Sequence, residues 1–99
     1  MKIQFQEKDP EKVVHKIQES LGGRQLGSLL NFNLKDKNVT VKIQKFGTST
    51  LEFSHNPAVK ESLEWVLSSE KIAFAHKAFK EEVLSKLKKV IEDLGGMVS

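Results

Sequence analysis

Apolar and polar residues alternate in four short stretches of this 99-residue chain. Successive side chains of a β-strand point to opposite faces, so such alternation predicts strands with one buried face. The apolar positions are Ile3, Phe5, Leu30, Phe32, Leu34, Val39, Val41, Ile43, Leu51 and Phe53. The pattern predicts one strand near the N-terminus and a three-stranded meander between residues 30 and 54.

The loops of the meander predict its register. A two-residue loop places Leu34 opposite Val39, and a three-residue loop centred on Gly47 places Ile43 opposite Leu51. Both loops keep the apolar residues on one face. A slip of one residue would turn them to the other face, so we expect a well-specified register.

The first helix is predicted by its start and stop signals. Asp9 is a good N-cap and Pro10 suits the first helical position, while Gly22 and Gly23 suit the end. The apolar stripe between these signals consists of Val13, Val14, Ile17 and Leu21.

Two further helices are predicted after the meander. Residues 56–57, Asn-Pro, repeat the cap-then-proline signal. The apolar stripe that follows is Val59, Leu63, Val66 and Leu67. Ser68 or Ser69 then suits the N-cap of a last helix from about Glu70 to Leu94, roughly 37 Å long at 1.5 Å per residue. A single kinked helix from Pro57 to Leu94 is the alternative interpretation.

The element order β-α-β-β-β-α-α predicts an α+β fold. One apolar sheet face and one apolar stripe per helix are best buried in a two-layer sandwich, with the helices packed on one face of a mainly antiparallel four-stranded sheet. The length fits a single domain over residues 1–99 with one core. We expect the tail, residues 95–99, to fray.

Composition favours a soluble cytoplasmic protein. There is no cysteine, which suits a reducing compartment. No apolar run approaches the roughly 20 residues of a membrane span, so we expect no membrane insertion, and the N-terminus lacks a signal-peptide pattern. The formal net charge of +3 comes from 16 basic and 13 acidic residues, which permits only weak attraction to anionic surfaces.

The sequence carries no motif typical of an enzyme. The absence of cysteine excludes thiolate catalysis and Cys-type metal sites. The three histidines form no metal-binding spacing, and no G-X-S-X-G motif frames a serine. We therefore expect no catalytic residues, no metal, no cofactor and a non-enzymatic role.

Two aromatic residues do not fit the predicted helical stripes. Trp65 and Phe74 lie on the polar sides of their helices, on either side of the serine pair. With Phe46 in the nearby loop they form a candidate interaction patch for a protein partner or a homodimer, or else a small satellite cluster of packed rings. His76 falls within the stripe of the last helix and is expected to be buried. It is also a candidate pH-sensitive or ligand-contacting group in a pocket between sheet and helices.

Three functions follow from these features. The first is a binding domain that contacts a protein or itself through the helical side. The alternative is weak binding of nucleic acid or an anionic surface, with Arg24, Lys35, Lys42 and Lys45 as candidate anion contacts. The second alternative is a small-ligand binder with a pocket near His76.

Overall fold

The computed structural model describes residues 1–22, 26–44, 47–78 and 80–99. Its strands and α-helices, in chain order, are β1 (Lys2–Phe5), α1 (Pro10–Leu21), β2 (Leu30–Lys35), β3 (Asn38–Gln44), β4 (Thr48–His55), β5 (Leu63–Lys71), α2 (Lys80–Asp93) and β6 (Met97–Val98). Short turns of 3-10 helix lie at Leu26–Ser28 and Phe74–His76. The predicted α+β class is confirmed, and the described residues form six strands instead of four and two α-helices instead of three.

The six strands form one antiparallel sheet in the order β2-β3-β4-β5-β1-β6. Both helices pack on the same face, where buried residues of each helix join the apolar side chains of the strands in a single core. The opposite face carries no helix in the described part of the chain. The prediction of helices on one side of an antiparallel sheet is therefore confirmed.

Helix α1 begins and ends as its sequence signals indicate. The Asp9 carboxylate accepts a hydrogen bond from the backbone N–H of Glu11 at 3.0 Å, and Pro10 occupies the first turn. All four residues of the predicted stripe are buried: Val13, Val14, Ile17 and Leu21. The cap and the stripe are local features, which is why the sequence specifies this helix well.

The meander has the predicted strands, but its second hairpin has a different register. Leu34 lies opposite Val39, as predicted. Val41, not Ile43, lies opposite Leu51, and Ile43 lies opposite Ser49, because β4 already begins at Thr48, which was predicted to lie in the loop. A shift of two residues keeps every side chain on its face, so the apolar pattern alone does not exclude it.

The segment predicted as the second helix is strand β5. Leu63, Trp65 and Leu67 alternate along it and face the helices, whereas Val66 points to the open face and is exposed. Val66 beside Leu67 produced the helix-like spacing. In a strand the ring of Trp65 shares a face with its apolar neighbours, so its misfit with the helical stripe was a sign of the wrong period.

The Asn-Pro signal before β5 forms a turn instead of a helix start. The Asn56 carboxamide oxygen accepts the backbone N–H of Ala58 at 3.1 Å, which is an Asx turn. An asparagine before proline serves both purposes, since each uses the same short-range bond from side chain to backbone.

Helix α2 is shorter than predicted. It spans Lys80–Asp93, which is about 21 Å at 1.5 Å per residue. Ser68 and Ser69 lie inside β5. Both predicted arrangements after residue 57, two helices or one kinked helix, are therefore wrong, and α2 alone follows β5 in the described residues. The buried stripe of α2 is Val83, Leu87, Val90 and Ile91. Phe79, which the sequence also assigns to this stripe, lies outside the described residues.

The C-terminal tail is a strand, so the expectation of fraying is wrong. Val98 lies opposite Ile3, and Lys2 and Ser99 exchange backbone hydrogen bonds of 2.7 and 2.9 Å. The backbone N–H of Gly96 donates to the carbonyl of Ile91 at 2.9 Å, and this bond turns the chain back from α2. Where the structure describes the chain, it contains no helix long and apolar enough to cross a membrane.

Gly96→Ala tests the docking of this tail. An alanine Cβ would lie 2.7 Å from Ile91 Cγ2 and 2.8 Å from Phe5 Cζ, well inside normal carbon contact. We expect the crowding to lower the free energy of unfolding by about 1–3 kcal/mol, measured by urea unfolding followed through Trp65 fluorescence. Glu92→Ala, an exposed change on α2, is the control and should shift it by less than about 0.5 kcal/mol. Equal stability of the two variants would contradict the packing of the tail.

Candidate interaction surface

The three predicted patch residues do not form a common surface. Trp65 is only 1% exposed and belongs to the core, so its assignment to an exposed patch is wrong. Its indole N–H donates to the backbone carbonyl of Lys37 at 2.8 Å, the kind of partner that a buried tryptophan requires. Phe46 lies outside the described residues.

Phe74 is the member of the predicted patch that is exposed. It lies in the 3-10 turn at 89% exposure, with the Lys77 ammonium 5.8 Å from its ring centroid. Single exposed apolar side chains are common on protein surfaces. Phe74 by itself therefore does not define an interaction site.

His76 is buried, as predicted, at 1% exposure. Its Nδ1 lies 2.5 Å from the hydroxyl of buried Ser49, which also accepts the backbone N–H of Ala73 at 2.8 Å. These bonds attach the 3-10 turn to β4. The serine hydroxyl is fully buried, out of reach of a substrate, so the pair is a poor nucleophile–base couple and serves as a structural link.

A small hollow lies in the core between the sheet and the two helices. The hollow bounded by Trp65, Phe53 and the inner residues of both helices measures about 10 Å³, at the lower limit for one water molecule. This filled interior does not support a ligand pocket at that place. The described residues also contain no group of three histidine, aspartate or glutamate side chains able to hold a metal.

Two of the four predicted anion contacts can be placed. Lys35 and Lys42 are exposed on the open face of the sheet, while Arg24 and Lys45 lie outside the described residues. Lys42 lies opposite Thr50, and Thr50 lies opposite Lys71 on the next strand. Lysines therefore flank a threonine in one row across β3, β4 and β5.

A buried glutamate on the open face was missed by the sequence. Glu64 is 4% exposed, although it points away from the helices. One carboxylate oxygen accepts the Gln4 amide at 2.8 Å, the other accepts the Asn56 amide at 2.6 Å, and the Lys2 ammonium lies 3.8 Å away. Chiefly through the Asn56 hydrogen bond, and also through Gln4 and Lys2, the pKa of Glu64 is lowered, against the opposing effect of burial. This network fixes β1, β5 and the Asx turn together.

The outer edge of the sheet at β2 presents backbone groups that no described strand pairs. The backbone N–H of Gln44 donates to the carbonyl of Leu29 at 2.9 Å, which marks these two residues as a hydrogen-bonded pair. In an antiparallel ladder such pairs alternate with pairs whose polar groups point away. The N–H and C=O groups of Leu30, Phe32 and Leu34 therefore point outward. No described strand pairs with that side of β2.

An open groove lies beside this edge, between β2 and α1. Its volume is about 620 Å³. Its lining residues are Asp9, Glu11, Lys12, Val14, His15, Gln18, Phe32 and Leu34. Phe32 and Leu34 are half-buried here, whereas Val39 and Val41 opposite them on β3 are buried, because no described strand lies beyond β2. An unpaired strand edge thus runs along a groove with an apolar floor and charges of both signs at its rim.

Comparison of the chain with protein-family models, with curated proteins and with solved structures gave no match.

The Glu64 network predicts a stability that depends on pH. Because the pKa of Glu64 is lower in the folded protein, its ionised form stabilises the fold above the ordinary glutamate pKa of about 4.3, and this contribution disappears as the pH falls through the lowered value. Glu64→Gln has a single acceptor oxygen for the two amides of Gln4 and Asn56. We expect it to be less stable than the wild type near neutral pH, by a margin that narrows on acidification.

The measurement is the urea midpoint of both proteins at several values between about pH 7 and about pH 3, which brackets the glutamate range. Glu52→Gln, an exposed carboxylate on the same face, is the matched control. A Glu64→Gln deficit that stays constant over this range would contradict a stabilising carboxylate.

Proposed function

We propose that this chain is a non-enzymatic interaction domain that binds an extended polypeptide segment along the free edge of β2. The observation that carries the proposal is the set of outward N–H and C=O groups at Leu30, Phe32 and Leu34. In strand addition the main-chain hydrogen bonds supply affinity, and alternate side chains supply specificity. A strand added here would extend the sheet beyond β2. Its side chains on the helical face would lie over the groove beside α1.

The two edges of the sheet differ in a way that favours β2 as the binding edge. Proteins usually protect an edge by a very short strand, a proline, a bulge or an inward-pointing charge. The edge strand β6 has two residues and is protected by its shortness. Strand β2 has six residues, regular pairing, and neither proline nor charge between Leu30 and Leu34.

The groove gives such a segment a defined environment. Half-buried Phe32 and Leu34 form its floor, and Val14 of α1 forms the apolar wall. Asp9 and Lys12 lie at its rim with opposite charges. A bound strand should therefore place an apolar residue over the floor and polar residues toward solvent.

A peptide library with alternating apolar and polar residues tests this proposal. Peptides selected for binding should shift the backbone amide resonances of Leu30, Phe32 and Leu34 and slow their hydrogen exchange. We expect Phe32→Lys to weaken binding about tenfold, which corresponds to ~1.4 kcal/mol, because it places a charge on the apolar floor.

Asn33→Lys is the matched control, since it adds the same charge to the same strand on the opposite face. Peptides that bind both variants equally, or that shift resonances elsewhere and leave the β2 edge unchanged, would exclude the edge as the binding site.

Weak binding of nucleic acid is a second candidate, supported by the lysine row on the open face. Lys42 and Lys71 lie two strands apart, about 10 Å at the usual strand spacing, and both are exposed. The open face presents no aromatic ring for base stacking among its described residues. The contacts would therefore be to phosphate groups and independent of sequence.

The double variant Lys42→Glu with Lys71→Glu should elute from heparin, and dissociate from single-stranded RNA, at lower salt than the wild type. Each lost phosphate contact should also reduce the salt slope by about 0.7. Lys88→Glu with Lys89→Glu makes the same change of charge on α2 and is the control. Equal retention of the two double variants would show that net charge, and not the position of the lysines, determines binding.

A further inference from the structure

The sequence of the free edge reads the same in both directions. From Leu30 to Leu34 it is Leu-Asn-Phe-Asn-Leu, with Phe32 at the centre. An antiparallel pair of two identical strands has a two-fold axis, and a palindromic strand places like opposite like about that axis. We propose that the segment bound at the β2 edge is the same edge of a second copy of this chain. This inference rests on the proposed function of the edge and names its partner.

The backbone groups of two such edges are complementary. With Phe32 opposite Phe32 of the second copy, Leu30 lies opposite Leu34 of the second copy. These are the residues whose N–H and C=O groups point outward, so each facing pair would exchange two hydrogen bonds. Every free donor and acceptor of this edge would be used. The two sheets would become one continuous antiparallel sheet of twelve strands, six from each copy.

The side chains match on both faces of the joined sheet. On the helical face the leucines meet leucines and the two Phe32 rings meet at the axis, the kind of cross-strand apolar pair that stabilises sheets. Their present half-burial leaves apolar surface for the second copy to cover. On the open face Asn31 lies opposite Asn33 of the second copy, and each carboxamide offers both a donor and an acceptor.

The palindrome also selects this register over its neighbours. A shift must move by two residues to keep the apolar face inward. One such shift would place Leu34 opposite Ser28 of the second copy, and the other would place Leu30 opposite Asp36 in the hairpin turn. Each shift replaces an apolar pair by a mismatch and leaves two facing pairs within the Leu30–Leu34 segment instead of three.

Charge opposes the pairing only weakly. The rim of the groove carries Asp9 and Glu11 together with Lys12 and His15. Two copies therefore bring surfaces of mixed sign together, and the net charge of +3 on 99 residues is a weak repulsion.

A single cysteine at the axis tests both the pairing and its register. The chain has no cysteine of its own, so Phe32→Cys introduces one thiol per copy. Residues in a hydrogen-bonded antiparallel pair have Cα atoms about 5.5 Å apart, within the roughly 4.4–6.8 Å that a disulfide spans. With oxidised glutathione as the electron acceptor, we expect Phe32→Cys to form a disulfide-linked dimer of twice 11.2 kDa.

Leu30→Cys and Leu34→Cys are the matched controls. Each alone faces a leucine of the second copy, so neither should form a dimer efficiently. An equimolar mixture of the two should form the mixed dimer. The three cysteines lie two residues apart on the same face of the strand. Non-specific disulfide formation between copies would therefore link all three variants equally. Circular dichroism confirms that each variant is folded.

The wild type should show, by sedimentation equilibrium, a mass that rises from one copy toward two with concentration, and Phe32→Lys should shift this rise to at least tenfold higher concentration. A wild type that stays monomeric at millimolar concentration, or equal linking of Phe32→Cys and Leu30→Cys, overturns the inference. If library peptides still occupy the β2 edge in that case, only the identity of the partner is wrong. If they do not, the proposed function fails as well.

Discussion

The sheet depends on the pairing of β5 along both of its sides. On one side β5 joins β4, the end of the meander, and on the other it joins β1, about 60 residues away in the chain. Trp65 on its inner face lines the same small hollow as residues of both α1 and α2. Glu64 on its outer face holds β1 and the Asx turn in place. Strand β6 then pairs on β1, so the C-terminal tail also depends on β5.

The sequence predicts the elements whose signals are local. Helix α1 has its cap and its stripe within 13 residues, from Asp9 to Leu21, and the hairpin between β2 and β3 has a turn that sets its register. Strand β5 has no comparable local signal. Its inner side chains alternate, but exposed Val66 mimics an apolar helical position, and the strand is specified by distant partners. Pairing with distant strands therefore decided between a helix and a strand here, as it often does for short apolar runs.

The candidate surface likewise has features that local sequence shows and features that depend on distant pairing. The alternation of β2 is evident in the sequence, and so is its palindrome, but neither shows that β2 lies at an edge. Strand order decides that, and strand order depends on β5. Trp65 was assigned to the surface because a helical period was applied to a strand. Glu64 was missed because its partners Gln4 and Asn56 become its neighbours only in the folded sheet.

The asymmetry of the two edges also limits what self-association can produce. A strand edge that pairs with an unlike edge leaves free ends and can grow into a fibre, whereas an edge that pairs with itself is used up in both copies. Strand β2 carries the palindrome, and β6 is two residues long at the other end of the sheet. In the proposed dimer, pairing through β2 would therefore close at two copies. In that dimer the six-residue edge would need neither proline nor inward charge, because the second copy, rather than a protective residue, would prevent further growth.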